Sequence, residues 1–230
     1  MDAARPDADS SPDAQGSASG TPDEAPGTRS SLADALRVDA KVVKLRRDPV
    51  PDNIISECLR AASAAAPGEP RCKIVVLRDA DRKHQIARIY RQGWSVYRRL
   101  LQLRGSDLTE RQWEADHFED VPIVMIGCAL GQRPILPAIG EARYYASVLP
   151  AMQNLMLTAR SLGVAASLST LPVWSGWQAR RTLDLPVRVT PVVVATLGWP
   201  AAALTQHELA VPSGFAMLDH YGQDFPVTDK

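Results

Sequence analysis

The sequence predicts an α+β domain, one sheet flanked by helices, behind a tail of about thirty unfolded residues. Three observations lead there. Four apolar runs, "KIVVL" (73–77), "VPIVMIGCAL" (121–130), "VAASLSTL" (164–171) and "VRVTPVVVATLGWP" (187–200), have the composition of strands. The stretches between them carry apolar residues at helical spacing. With 230 residues, 45% of them hydrophobic, the chain can bury one sizeable core. The alternation also admits an α/β sheet, but uneven helices and a last thirty residues without periodicity favour α+β.

Taken in order, "MDAARPDADSSPDAQGSASGTPDEAPGTRSS" lacks the Leu, Ile, Phe and Trp of a core, so residues 1–30 are expected to be disordered. Folding should begin near Ser31. In "SLADALRVDAKVV", Leu32, Ala35, Leu36 and Val42 fall near helical spacing, with Ser30 or Ser31 as N-cap. "RRDPVPDN" breaks that helix at its prolines. "DNIISECLRAASAAA" gathers Ile54, Ile55, Cys58, Leu59 and Ala62 on one face and should end at Pro67-Gly68. "KIVVL" reads as a buried strand. Asp79 can cap a helix over about residues 80–104 that carries Ile86, Ile89, Tyr90, Trp94 and Tyr97. "LTERQWEADHFED" is a polar helix or helical loop, and "VPIVMIGCAL", nearly all apolar, is a central strand. After a Gly- and Pro-rich loop, "YYASVLPAMQNLMLTARSLG" forms a long helix that Gly163 stops. "WSGWQARRTLDLP" is a short helix before the last strand.

Lys plus Arg and Asp plus Glu are equal at 26 each, so no basic face for nucleic acid is expected. No apolar stretch reaches the roughly 20 residues of a membrane span, and the N-terminus lacks the pattern of a secretory signal. A soluble, cytoplasmic protein follows as the expectation. Cys58, Cys72 and Cys128 form no CxxC pair. Only Cys72 sits beside positive charge, at Arg71 and Lys73, which can lower its pKa. His84, His117, His207 and His220 are scattered without ligand spacing, so no metal site is expected. There is no GxGxxG, Walker loop, GxSxG or HExxH.

Four segments in a fixed order go further. "DPVPDNIISECLRAASAAAPG", "KIVVLRDADRKHQIARIYRQGW", "YYASVLPAMQNLMLTARSLGVAASLSTL" and "VVVATLGWP" together resemble the flavin-dependent nitroreductase family, over roughly residues 34–225. The resemblance implies a homodimer with a mixed sheet, a C-terminal tail that crosses onto the partner from about Thr205, and two FMN molecules at the subunit interface. It implies hydride transfer from NAD(P)H to a nitroaromatic, quinone or similar small acceptor by a ping-pong scheme. The flavin would carry the chemistry, which suits the lack of a catalytic triad.

The family's motifs then nominate residues here. Its R-S-x-R arginines, which hold the FMN phosphate, fall without gaps on Ala40 and Val43. Arg37, Lys41 or Lys44 could take over with a small shift. The family's A-P-S-G-x-N-x-Q-P-W becomes "AAPGEPRCK" (65–73), which keeps the Pro-Gly turn and offers Arg71. The Ala-Ser-x-x-Pro step survives as Ala146, Ser147, Val148, Leu149 and Pro150, with Gln153 and Asn154 one turn on. In the family it packs against the flavin ring from the partner subunit. The G-L-G-A turn becomes "GVAAS", with Gly163, Val164 and Ala165 near the ring. "LGWP" brings Gly198 to the strand end, and His207 is the one candidate donor after it. Each lost charge-assisted bond is worth about 1.5 to 3 kcal/mol, so weakened FMN binding is expected. The alternative is a family member that binds flavin without turnover or serves as a scaffold. Altered chemistry on the same flavin is a third, weaker option.

Overall fold

The computed structural model describes residues 29–38, 44–65, 71–103, 108–131 and 145–226. Among them are six α-helices and four strands. The helices are α1 (Leu32–Arg37), α2 (Asp52–Ala64), α3 (Ala80–Gln102), α4 (Thr109–His117), α5 (Val148–Ser161) and α6 (Gly176–Thr182). The strands are β1 (Cys72–Leu77), β2 (Ile123–Leu130), β3 (Ala165–Ser169) and β4 (Val189–Gly198).

The sheet order is β1-β2-β4-β3. All three pairings are antiparallel, so the parallel pairing of the expected mixed sheet does not occur among the described residues. β2 is central, as its unbroken apolar run requires. Its side chains alternate. Ile123, Met125 and Ala129 enter a core with α2 and α5, and Val124, Ile126 and Cys128 enter a second core with α3 and α6. The fold is therefore three layers, with α1, α2 and α5 on one face and α3, α4 and α6 on the other. Expected as a buried strand, β1 is instead an edge strand, and most of its residues are only partly covered. Its β-branched composition reports a half-buried pleat as readily as a central one.

Helix ends follow local chemistry. Ser31 Oγ accepts the Asp34 N–H at 3.1 Å while the Asp34 carboxylate accepts the Ser31 N–H at 3.1 Å, a reciprocal capping box. The Ser31 hydroxyl, which donates to the Asp34 carboxylate at 2.6 Å, then the Ser31 N–H, with help from Arg37, hold the Asp34 carboxyl below its usual range. α1 stops at Arg37, earlier than a helix through Val42, because Val38 turns extended and bridges to Gln206. Asp79 caps α3 through the Arg82 N–H at 2.8 Å. Gly163, at φ +76°, ends α5. Its N–H donates to Arg160 O at 3.0 Å and the Val164 N–H donates to Ala159 O at 2.9 Å, the paired bonds of a Schellman stop.

One close approach fixes α5 on the sheet. A methyl group added to Gly127 in β2 would lie 2.8 Å from Val148 Cγ1 and 3.0 Å from Met152 Cγ. After β4 the chain runs without helix or strand to Pro226, and Phe215, Tyr221 and Phe225 stand exposed along it. No described helix is long and apolar enough to cross a membrane.

Candidate functional site

The nominated residues separate into two groups. The first is built at the end of the sheet where β4 finishes. Gly198 pairs with Ala165, and Gly163 and Val164 lead into that strand. Beyond Gly198, two antiparallel bridges join the chain to the N-terminal part, Leu45 to Pro200 and Val38 to Gln206. Beside these bridges Ala201 N–H donates to Lys44 O and His207 N–H donates to Arg37 O, both at 2.8 Å. Arg37 and Lys44 thus come to the same edge as Gly198, with His207 beside Arg37. Arg37 lies 3.7 Å from the Asp34 carboxylate. Lys44 Nζ sits 5.6 Å over the Trp113 ring, whose other neighbour is His117, stacked at 4.5 Å. Lys41, with positions 40 and 43, lies outside the described residues.

The second group gathers toward the opposite end. The Leu130 N–H donates to Arg71 O at 2.8 Å, so Arg71 sits beside the far end of β2. α5 begins over Gly127, in the half of β2 nearer Arg71, and brings Ala146, Ser147, Val148 and Leu149 there. Between the two ends lies the length of β2, about 24 Å at the ordinary strand rise. Gln153 is exposed partway along α5.

What the side chains do there differs by position. Val148 and Val164 are fully buried and Ala165 nearly so, so they can meet a ligand only through backbone atoms. A methyl group on Gly198 would lie 2.9 Å from Pro122 Cδ and 3.2 Å from Leu45 Cβ, which makes that glycine a packing requirement of the strand end. Gly163, by contrast, opens onto free space. Leu149 is half exposed. Ser147 Oγ is buried and has no hydrogen-bond partner among the described residues, although buried hydroxyls are nearly always paired. A group that accepts or donates at this hydroxyl would complete it. The exposed guanidinium, the ammonium on an aromatic platform and the bare glycine backbone of the first group are donors that suit an anionic cofactor, while the orphaned hydroxyl belongs to the second group.

Other features were invisible in the sequence. Glu114 of α4 accepts from Tyr90 Oη at 3.1 Å and from Ser167 Oγ at 3.3 Å, and Ser167 lies 3.3 Å from Thr196 Oγ1. Burial raises the Glu114 pKa, against the pull of those two hydroxyls and Arg111. Burial first, then the Glu114 charge, raises that of Tyr90. This network ties α3 and α4 to β3 two residues past Ala165. A Glu in a polar helical run reads as a solvated side chain, so no sequence signal marks it. Trp94 is core, 2% exposed, with its N–H on Gln112 at 2.6 Å. Cys72 is corrected: partial burial raises its thiol pKa and outweighs Lys73. Cys58 and Cys128 are buried thiols pushed up to about 11 and about 12 by burial. Among the described residues no cluster could hold a metal ion.

Comparison with known proteins identifies the family and the fold. A family model described as "Nitroreductase family" matches residues 42–199. No curated protein matches the chain significantly. Among solved structures, the NADPH:FMN oxidoreductase from Vibrio harveyi, complexed with NAD+, superposes with a TM-score of 0.62 at 15% identity, over 84% of this chain and 78% of that one. NfrA1 of B. megaterium gives 0.61 at 19% identity, over 86% and 76%. An FMN-dependent nitroreductase from Clostridium difficile R20291 gives 0.57 at 12%, over 76% and 91%.

Proposed function

The chain belongs to the nitroreductase family, and from that premise we propose that it is a homodimeric, FMN-dependent oxidoreductase. It would oxidise NAD(P)H and reduce a nitroaromatic, quinone or similar acceptor. The observation that carries the proposal is the division of the candidate residues within one chain, with Gly198 and Arg71 at opposite ends of β2, about 24 Å apart, and Ser147 seated toward the Arg71 half. Neither group is a complete site. Two copies arranged head to tail across their α5 faces would bring the Arg37–Lys44–Gly163 edge of one to the Arg71–Ser147 end of the other. The exposed aromatic tail after Gln206 is long enough to reach onto the partner.

When bound, FMN would supply the hydride-accepting and hydride-donating ring. The chain's own residues hold and orient it. Arg37, Lys41 and Lys44 neutralise the phosphate, with Arg71 of the partner subunit beside them. The Gly163 backbone, without a Cβ, lets the ring approach closely. Ser147 gives its unpaired hydroxyl to the flavin, and Ala146 and Leu149 cover the ring and exclude water. The departures at Ala40, Val43 and residues 65–73 favour a second reading, a flavin-binding or scaffold member without turnover.

The visible absorption spectrum before and after denaturation tests the first step. A flavin band released on denaturation supports the proposal, and a protein that stays colourless after incubation with excess FMN rejects it. NAD(P)H oxidation with menadione or a nitrofuran then separates turnover from storage. Arg71→Ala combined with Lys44→Ala should release FMN.

A further inference from the structure

On the sheet face away from α5, α3 and α6 enclose an open groove of about 370 Å³. Arg88 and Gln92 of α3 line one wall, and Trp177, Gln178 and Arg181 of α6 line the other. Trp177 is 65% exposed, and the Arg181 guanidinium carbon stands 5.0 Å above its ring. A second hollow of about 430 Å³ adjoins the same pair, lined also by Arg180 and Asp184.

Charge in this region is not balanced. Asp184 is the one carboxylate lining either hollow, and Arg82 already holds it at 2.9 Å. Arg88, Arg180 and Arg181 have no acidic partner among the described residues. In a chain with equal numbers of acidic and basic residues, that excess is local. Among the described residues, Gln178 Oε1 and Arg180 Nε are both buried without a hydrogen-bond partner, although such groups are ordinarily paired. An acceptor and a donor are therefore left unmet beside the same exposed indole.

An indole face beside guanidiniums suits a flat ring that carries negative charge. The ring stacks on the indole, and the anion meets the planar donor forks. We propose that the α3–α6 groove binds a planar anion, an aromatic ring bearing phosphate or carboxylate, with the ring on Trp177 and the anion between Arg88 and Arg181. The groove shares no residue with the candidate flavin site and lies on the other face of the sheet. The proposal stands whether or not FMN binds.

The test is calorimetric titration of the full chain without added flavin, with the Arg88 and Trp177 substitutions separating this groove from any flavin site. Adenosine monophosphate and 2-naphthoate are the probes, with adenosine and inorganic phosphate as controls. At least one probe should bind with a Kd below about 1 mM, and at least about tenfold more tightly than either control. Arg88→Ala and Trp177→Ala should each weaken it about tenfold or more, with unfolding temperature unchanged because both side chains are exposed. Binding of the nucleotide alone, or of the naphthoate alone, tells phosphate from carboxylate. No binding by either probe, or binding that survives both substitutions, overturns the proposal.

Discussion

Gly127→Ala tests whether α5 is held where the candidate site needs it. In a strand, Gly→Ala ordinarily gains about 0.5 to 1 kcal/mol, because glycine loses more backbone freedom on folding. Here the new methyl would lie 2.8 Å from Val148 Cγ1 and 3.0 Å from Met152 Cγ and Sδ. Met152 can turn aside, but Val148 is β-branched, fully buried and at the first turn of α5. Overpacking of this kind costs about 1 to 3 kcal/mol. Set against the propensity gain, the net effect runs from about zero to about 2.5 kcal/mol of destabilisation, or up to about 10 °C in Tm for a domain of this size. Thermal unfolding followed by circular dichroism measures it. Val148→Ala in the Gly127→Ala background should recover about 1 kcal/mol relative to the sum of the single changes. Because Val148 follows Ser147, the single variant should also bind FMN less tightly. A Gly127→Ala protein more stable than the parent by the full propensity gain, about 0.5 to 1 kcal/mol, would refute the close approach and with it the seating of α5.

Three further outcomes follow from the same residues. Ser147→Ala removes a buried hydroxyl without a partner, so the flavin-free protein should be unchanged or up to about 1 kcal/mol more stable, while FMN affinity, read by fluorescence quenching, falls about tenfold. Glu114 has a folded pKa raised above its unfolded value by burial, so the folded state holds that proton more tightly. The parent should lose stability as pH climbs from the ordinary carboxylate range through the raised value. Glu114→Gln keeps an acceptor for Tyr90 or Ser167 and should lack that loss, and urea unfolding across pH compares the two. Deleting residues 208–230 removes the exposed Leu209, Phe215, Tyr221 and Phe225. Light scattering should show a shift from dimer to monomer together with loss of bound flavin, and an unchanged mass would reject the tail as an interface element.

Much of the fold was legible because its signals are local. Ser31 and Asp79 cap their helices as their side chains allow, Gly163 stops α5 at positive φ, and the apolar run 123–130 is central. Misjudged features depended on partners distant in sequence. Nothing in "RVDAKVV" announces that Val38 will leave the helix to pair with Gln206. The β-branched "KIVVL" does not say that only one side of it will be paired. Lys73 beside Cys72 suggested a lowered thiol pKa, but desolvation, a property of the packed surroundings, outweighs one nearby charge.

The candidate site shows the same division. The residue types on offer are written along the chain: Arg37, Lys44 and Arg71 as cations, Gly163 as a bare backbone, Ser147 as a hydroxyl at a helix start. So is the order of segments that marks the family, because apolar periodicity, caps and turn residues are set within a few positions of one another. Where those residues go depends on how the segments pack. The antiparallel register sends Gly198 to one end of β2 and Arg71 to the other. It packs Gly198 against Leu45 and Pro122 while leaving Gly163 open, strips Ser147 of a partner, and places Glu114 in the dry layer between Tyr90 and Ser167. Distance, burial and unmet hydrogen bonds arise from contacts between segments tens of residues apart, and no local pattern encodes them.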